Sequence, residues 1–234
     1  RARSAASLGA MPDIMRATHL DEAIFASLCR ESDMYHVLQR CAILVSRMAL
    51  TMPPPMFHDM VRATASWPDL CRRLISTSAT LSHARSRKLV ALGLAHMLRH
   101  ASAQDKGLLS AVPDMIGMWT EVVGEVVEDE AGSADRYERE LSPTRALEIG
   151  EDGIPFLDEF GLIEAAPTPS SARTDAVRSR DPSFTVPLRA YVADTLNAVL
   201  QNGSYKTQLQ SLLATIDPLV LDTLQRGLSE RPVA

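Results

Sequence analysis

The apolar residues of this chain recur at every third or fourth position, and this spacing restricts the chain to a helical fold. The segment Met34–Leu50 is representative. The apolar side chains that fall on one face of this predicted helix are Val37, Leu38, Cys41, Leu44, Val45 and Met48. Aromatic residues, which strands favour together with β-branched ones, make up only 5% of the 234 residues. We therefore expect an all-α chain.

Prolines and capping residues divide the chain into predicted helices. The first half is predicted to form helices over Leu20–Arg30, Met34–Leu50, Pro55–Ala65, a segment that begins at Trp67, Ser82–Ala101 and Leu108–Glu130. Further helices are predicted over Val186–Leu200, Tyr205–Thr215 and Pro218–Leu228. Asp217 before Pro218 has the pattern of an N-cap followed by the first helical residue.

Pairs of these helices recur about every 40 residues, which is the repeat length of HEAT-type solenoids. In a solenoid, each antiparallel helix pair buries its apolar face against its neighbours. A compact helical bundle has the same short loops and amphipathic helices, so the spacing alone leaves both architectures open.

The helical spacing stops between residues 131 and 180. This segment is rich in Gly, Pro and Ser, and a stretch of this length without secondary structure indicates a functional loop or a linker. We therefore expect three parts: HEAT-like helical repeats over 1–130, an acidic, poorly ordered insertion over 131–180, and a carboxy-terminal helical repeat or cap over 181–234.

The negative charge of the chain is concentrated in one segment. The net charge is −5, but residues 121–164 contain 14 acidic and 3 basic residues, a balance of −11. Residues 1–120 carry 14 basic and 9 acidic residues, a balance of +5. A local acidic segment attracts basic partners.

No pattern in the sequence indicates catalysis or a bound cofactor. His96 and His100 have the i, i+4 spacing of zinc ligands, but Met97 occupies the position of the catalytic glutamate in HExxH, and Arg99 lies between them. We interpret these histidines as helix-end residues. The cysteines Cys29, Cys41 and Cys71 lack the CxxC spacing of a metal site, and we expect them to be packed and reduced. We predict that the chain is not an enzyme and has no cofactor.

Membrane insertion and nucleic-acid binding also have little support. No run approaches the eighteen apolar residues of a membrane span. The basic cluster Arg85–Lys88 is short and has no interleaved aromatic residues, so we expect no direct nucleic-acid contact. The first residue is Arg1 and not Met, so we expect a piece of a longer protein.

Several segments resemble, in order, the end of importin-eleven-type karyopherins of the importin-β superfamily. Ser86–Leu98 resembles a helix near the end of these proteins, and Pro113–Glu138 resembles the next repeat, which leads into an acidic insertion. Asp181–Leu188 resembles the start of their last segment. Leu213–Asp217 and Leu224–Leu228 are similar to its closing pattern. The resemblance extends from about Arg72 to Leu228, and the segment before it has only generic HEAT-like helices.

This resemblance implies the carboxy-terminal part of a nuclear import receptor that shuttles between nucleus and cytoplasm and passes transiently through the nuclear pore. Its implied partners are protein cargo, phenylalanine-glycine repeats of nucleoporins, and the GTPase Ran. Ran would bind mainly through amino-terminal repeats that this chain lacks. The alternative is a HEAT or armadillo scaffold for protein assembly that is unrelated to Ran.

The acidic segment supplies the candidate contacts to basic cargo. The residues that we select are Glu128, Asp129, Glu130, Glu151, Asp152, Asp158 and Glu159. Their charges attract a basic surface through screened long-range forces. The alternative is a solvated loop that only keeps the protein soluble.

Overall fold

The computed structural model describes residues 19–29, 34–105, 107–132 and 181–229, and within these ranges every regular element is a helix. The elements before residue 133 are α1 (Leu20–Cys29), α2 (Tyr35–Thr51), α3 (Pro54–Thr64), α4 (Trp67–Ser78), α5 (Ala84–Arg99), a 3-10 turn (Leu109–Ala111) and α6 (Val112–Gly132). The elements after residue 180 are α7 (Pro182–Thr185), α8 (Leu188–Gln201), α9 (Gly203–Leu213) and α10 (Pro218–Ser229).

The helix ends follow from local capping chemistry. Ser66 accepts a hydrogen bond from the backbone N–H of Asp69 and caps α4. Asp217 accepts one from the N–H of Leu219 at 2.8 Å, which confirms the predicted cap of α10. Pro113 lies in the first turn of α6, where its missing N–H costs nothing.

The sequence prediction is wrong about the start of α8. A single helix over Val186–Leu200 was expected, but a four-residue helix ends at Thr185, and α8 begins at Leu188. Val186 between them is extended, with φ −100° and ψ 118°. Pro187 explains this break, because a proline disfavours the helical conformation of the residue before it.

The predicted apolar stripe of α2 is also partly wrong. Leu38, Val45 and Met48 are buried as expected, whereas Val37 and Leu44 are 37% and 41% exposed. Small residues take their place in the buried face, namely Ala42, Ser46 and Ala49. Small side chains allow neighbouring helices to approach closely, so the buried face combines these three residues with Leu38, Val45 and Met48 and leaves out Val37 and Leu44.

The helices form two rows, as in an α-solenoid. In the first row, α5 packs against both α2 and α8. In the second row, α6 packs against both α4 and α10. Consecutive helices such as α5 and α6 alternate between the rows and contact each other. The structure therefore has the stacked helix pairs of a solenoid, in which each pair buries its apolar face against its neighbours.

Helix α5 lies at the centre of the core. Every residue from Lys88 to Ala95 is buried, as expected for a helix with neighbours on all sides. Gly93 on α5 faces Ser46 on α2 so closely that an added Cβ would lie 2.9 Å from the Cβ of Ser46 and 3.0 Å from its Cα. The absence of a side chain at Gly93 is what allows these two helices to pack.

An ion pair connects the segment after residue 180 to the first row. Asp181 caps α7 by accepting from the N–H of Ser183 at 3.0 Å. Its other oxygen accepts a 2.7 Å hydrogen bond from Arg47 on α2, across 134 residues of sequence.

Most of the predicted insertion over 131–180 lies outside the described residues, so the proposed boundaries of the three parts stay a prediction.

Candidate functional site

The acidic residues selected from the sequence are only partly within the described chain. The backbone of α6 carries Glu128, Asp129 and Glu130 in its last turns. Glu151, Asp152, Asp158 and Glu159 lie outside the described residues. The assignment of these seven residues to basic cargo stays a prediction.

The first two acidic residues of the segment have partners within the fold. The guanidinium of Arg87 on α5 lies 3.4 Å from a carboxylate oxygen of Glu121 and forms a shorter ion pair with Glu125. The Arg87 side chain is only 16% exposed, so this contact is partly shielded from solvent. Glu121 and Glu125 therefore stabilise the packing of α5 on α6, and we do not assign them to a partner.

The basic cluster at the start of α5 is also used within the fold. The guanidinium of Arg85 lies 3.8 Å from the ring centroid of Phe184, a cation–π contact that joins α5 to α7. Lys88 is buried, with 7% of its surface exposed. The prediction that the chain makes no direct nucleic-acid contact stays a prediction.

His96 and His100 lie at the carboxyl end of α5, as predicted. Their ring centroids are 4.5 Å apart, and His100 is the C-cap residue. The Nδ1 of His96 is 2.5 Å from the hydroxyl of Tyr191 on α8. Burial, with smaller contributions from the positive fields of His100, His58 and Arg99, lowers the pKa of His96 to about 4. Its ring is therefore neutral at pH 7.

The cysteines are packed thiols. Burial raises the pKa of Cys71 to about 12 and also raises the pKa values of Cys29 and Cys41. Since the thiolate is the reactive form, all three are poor nucleophiles at neutral pH. Within the described ranges, no three His, Cys, Asp or Glu residues are arranged to hold a metal ion.

A buried polar network around Asp105 is the feature that sequence reasoning missed. The Asp105 side chain is fully buried and accepts from Arg62 on α3 at 2.6 Å and from the indole N–H of Trp67 on α4 at 3.1 Å. It also accepts from the backbone N–H and the hydroxyl of Ser102, both at 2.8 Å. Its fifth contact is with Nδ1 of His58, at 2.8 Å. The loop after α5 is thereby fixed to α3 and α4.

The charge state of Asp105 determines which nitrogen of His58 carries a proton. Burial opposes the charge of Asp105, but the hydrogen bonds from His58 and Ser102 outweigh it and hold the pKa of the carboxyl below its ordinary value. An ionised carboxylate only accepts hydrogen bonds, so Nδ1–H of His58 is the donor. The other ring nitrogen, Nε2, is buried and has no hydrogen-bond partner among the described residues.

A pocket of about 530 Å³ adjoins this network. It lies between the first turns of α3 and the loop that follows α5. The lining residues are Pro54, Pro55, His58, Arg62, His100, Ser102, Ala103 and Gln104. A volume of this size is within the range of ligand sites. Sequence reasoning had no signal for this pocket, because His58 and Asp105 are 47 residues apart and belong to no local motif.

Among the helices of the described residues, none combines the length and the apolar character that crossing a bilayer demands. The fold of the described residues is that of a helical-repeat protein of the α-solenoid class, an architecture that offers an extended binding surface.

Comparison with known families assigns this solenoid more closely. Residues 2–229 match the family described as "Importin-11-like, TPR repeats". Because the match covers nearly all of the sequence, the chain belongs to the importin-11-like family, whose members are karyopherin-type transport receptors. The family match begins at residue 2, whereas the resemblance carried by the motifs begins only at about Arg72. No curated protein and no solved structure matches the chain.

The family description names the repeats TPR, whereas the spacing of the helices predicted HEAT-like repeats. Both repeat types are antiparallel helix pairs that stack into a solenoid, and they differ in length, at about 34 residues for TPR and about 40 to 47 for HEAT. The predicted all-α solenoid is confirmed, and the repeats take the name that the family gives them.

Proposed function

We propose that the chain is the carboxy-terminal part of a nuclear import receptor that binds protein cargo and carries it through the nuclear pore under Ran-GTP control. The observation that carries the proposal is the family match over residues 2–229. The two rows of stacked helices support it, because a solenoid offers an extended surface for protein partners. The receptor shuttles between nucleus and cytoplasm and contacts nucleoporin phenylalanine-glycine repeats on the way.

A reconstituted import assay in permeabilised cells tests this function, with the receptor that contains this chain. We expect the receptor to enter nuclei, and we expect GTP-loaded Ran, but not GDP-loaded Ran, to release its bound cargo. A scaffold unrelated to Ran holds its partner equally well with both forms of the GTPase, and that result would contradict the proposal.

The acidic segment supplies the cargo contact in this proposal. Its proposed residues are Glu128, Asp129, Glu130, Glu151, Asp152, Asp158 and Glu159. They follow Glu121 and Glu125, which both pair with Arg87 within the fold. The remaining negative charge is therefore concentrated downstream of this ion pair. A basic surface of cargo is attracted there over distances of about 8 Å at physiological ionic strength.

Substitution of part of the segment tests this contact. The variant E128Q/D129N/E130Q is compared with the control D114N/D194N/D222N, which removes the same charge at exposed positions outside the segment. With core histones as the basic probe, we expect the first variant to bind at least several-fold more weakly at 50 mM salt, and less so at 300 mM. Equal binding by the two variants would show that the segment only keeps the protein soluble.

A further inference from the structure

Helix α2 exposes an apolar pair on the side that faces away from α5. Ser46 of α2 contacts Gly93 of α5, and at about 100° per residue Val37 and Leu44 lie within about 20° of the opposite side of the helix. These two residues are 37% and 41% exposed. The exposed residues along this side, which we call the outer face of α2, are Val37, Arg40, Leu44, Arg47 and Thr51.

The other end of the first row has a different surface. Within the described residues, α2 and α8 are the two ends of this row, since both pack on α5. The exposed residues of α8 are Ala190, Asp194, Asn197 and Gln201. A helix at the end of a solenoid needs a polar outer face to keep the protein soluble, and α8 has one. The exposed Val37 and Leu44 do not fit that role, so the outer face of α2 has the character of an interaction surface.

The charges of the outer face are basic. Between Tyr35 and Thr51, α2 contains two arginines and no acidic residue. Arg40 is exposed and forms no ion pair with the described part of the chain. On the neighbouring helix α1, Asp21 is buried and Glu22 pairs with His19. A carboxylate that approaches Arg40 is therefore attracted, whereas a basic group is repelled.

The fold already places one carboxylate against this face. Asp181, which caps α7, accepts a 2.7 Å hydrogen bond from Arg47. Arg40 lies two turns before Arg47, about 10 Å away along the helix axis. An acidic partner at Arg40 continues this interface toward the amino end of α2, where Val37 and Leu44 lie on both sides of the arginine in the sequence.

From this pattern we propose that the outer face of α2 binds an amphipathic helix of a partner protein, in which a glutamate lies between two aliphatic residues. The glutamate pairs with Arg40, and the aliphatic side chains pack on Val37 and Leu44. These three residues of α2 are spaced by three and four positions. A partner helix with aliphatic residues at i and i+7 and glutamate at i+3 or i+4 presents them on one face at the same spacing.

The inference goes beyond the proposed transport function and does not depend on it. It also differs in sign from the contact proposed for the acidic segment. That segment attracts basic groups, whereas the outer face of α2 accepts an acidic one.

The test uses the 234-residue chain and fluorescein-labelled, alanine-rich peptides of 20 residues. The probe carries Leu, Glu and Leu at i, i+3 and i+7, and two counterparts have Gln or Lys in place of the Glu. A fourth peptide has the composition of the probe but places its leucines on opposite sides of the helix. We expect fluorescence anisotropy to show saturable binding of the probe and about fivefold weaker binding of the Gln peptide. The Lys peptide should bind more weakly still, and the fourth peptide should not bind.

Variants of exposed residues locate the binding on α2. R40Q should weaken the probe about fivefold and leave the affinity for the Gln peptide unchanged, as expected when the two charges interact directly. K206Q, on α9, removes a positive charge at another exposed position and is the control. L44Q should weaken the probe tenfold or more through the lost apolar contact. Its control is L219Q on α10, at a residue that is 66% exposed. Unchanged thermal unfolding shows that each variant is folded.

Three results would overturn the proposal. Equal affinity for the Glu and Gln peptides, or equal weakening by R40Q and K206Q, would show that the face does not recognise a carboxylate. If a phenylalanine-glycine peptide binds in an L44Q-sensitive way and the probe does not, the face takes uncharged apolar segments instead. If sedimentation equilibrium shows a dimer that L44Q abolishes, the occupant is a second copy of the chain.

Discussion

Asp105 is the residue with the largest number of side-chain contacts in the polar network, and it connects the loop after α5 to the consecutive helices α3 and α4, which are distant from it in sequence. Its partners His58, Arg62 and Trp67 are 47, 43 and 38 residues away. Because the carboxylate is fully buried, neutralising Asp105 removes the charged acceptor that His58, Trp67 and Ser102 share, whereas Arg62 keeps its ion pair with Asp59.

We expect D105N to lower the free energy of unfolding by about 3 kcal/mol, since the buried donors of His58, Trp67 and Ser102 lose a charged acceptor and an amide replaces one of its oxygens. Urea denaturation of the 234-residue chain measures this loss. D59N is the control, because the Asp59 side chain is 62% exposed and pairs only at the surface, where the expected change is below about 1 kcal/mol. Equal losses in the two variants would contradict the structural role of Asp105.

His96 gives the chain a pH-dependent stability. Its pKa is about 4 in the folded chain, against an ordinary value of 6.5. Between these values the unfolded chain binds a proton at His96 and the folded chain does not, so the stability falls as the pH is lowered from about 6.5 to about 4.

The variant H96Q should flatten this part of the pH profile, because glutamine can still bond to Tyr191 but does not titrate. The free energy of unfolding, measured in urea at pH 7, 6 and 5, provides the test. H19Q is the control, because it removes a histidine whose side chain is 75% exposed. We expect this variant to keep the dependence of unfolding free energy on pH that the unmodified chain shows. A profile that H96Q leaves unchanged would be evidence against a half-buried neutral ring at His96.

At the scale of the helices, the contact between α2 and α5 depends on small residues. Gly93 and Ser46 meet at a distance that leaves no space for a Cβ on Gly93. Glycine inside a helix normally costs about 1 kcal/mol relative to alanine, so its presence in the central helix is explained by the packing.

The variant G93A should therefore destabilise the chain by about 1 to 3 kcal/mol, because the clash outweighs the gain in helix propensity. The matched control is G124A on α6, where nothing lies within 4 Å of the added Cβ. That change should stabilise the chain by up to about 1 kcal/mol. Thermal denaturation of both variants shows the sign of each effect, and stabilisation by G93A would refute the close contact.

For the whole molecule, the pairing of Asp181 with Arg47 joins the segment after residue 180 to the first row of helices. Burial opposes the charge of Asp181, but the hydrogen bonds from Ser183 and Arg47 outweigh it and hold its pKa below the ordinary value. The stability that this carboxylate contributes is thus present above about pH 4 and is lost as the pH falls through its folded pKa.

We expect D181A to cost about 2 kcal/mol, because the variant loses both a helix cap and a charged hydrogen bond. In D181A, backbone hydrogen exchange should become faster in α8, which follows this cap, and should change less in α2. The matched control is D217A, which removes a cap before a proline at an exposed position and should cost about 1 kcal/mol, with effects confined to α10. If D181A and D217A change hydrogen exchange in α8 equally, the result would argue against a role of Asp181 in joining α8 to α2.

Much of the fold follows from rules that act over a few residues. The spacing of Leu89, Val90 and Leu98 predicts the central helix, and the pairs Asp217–Pro218 and Trp67–Pro68 mark two helix starts that the structure confirms. The break at Val186 was predictable from Pro187, but the helical spacing of the following residues masked it.

No local pattern of this kind predicts the polar network of Asp105 or the pocket beside it. The sequence led to the acidic residues between Glu128 and Glu159, because a charge cluster is visible without any knowledge of the fold. His58 is one polar residue beside Phe57, Met60 and Val61, and nothing local distinguishes a buried histidine from an exposed one.

The sequence by itself determined that the chain is helical, where most helices begin and end, and which family it resembles, because apolar spacing, proline and capping act within one or two turns. Only the tertiary structure decided which face of α2 is buried, that Asp105 gathers donors from three segments, and that Asp181 pairs with Arg47. The contacts of Asp105 with His58, Arg62 and Trp67, and of Asp181 with Arg47, join residues 38 to 134 positions apart. Their energies depend on burial, which is a property of the packed chain and not of any short segment.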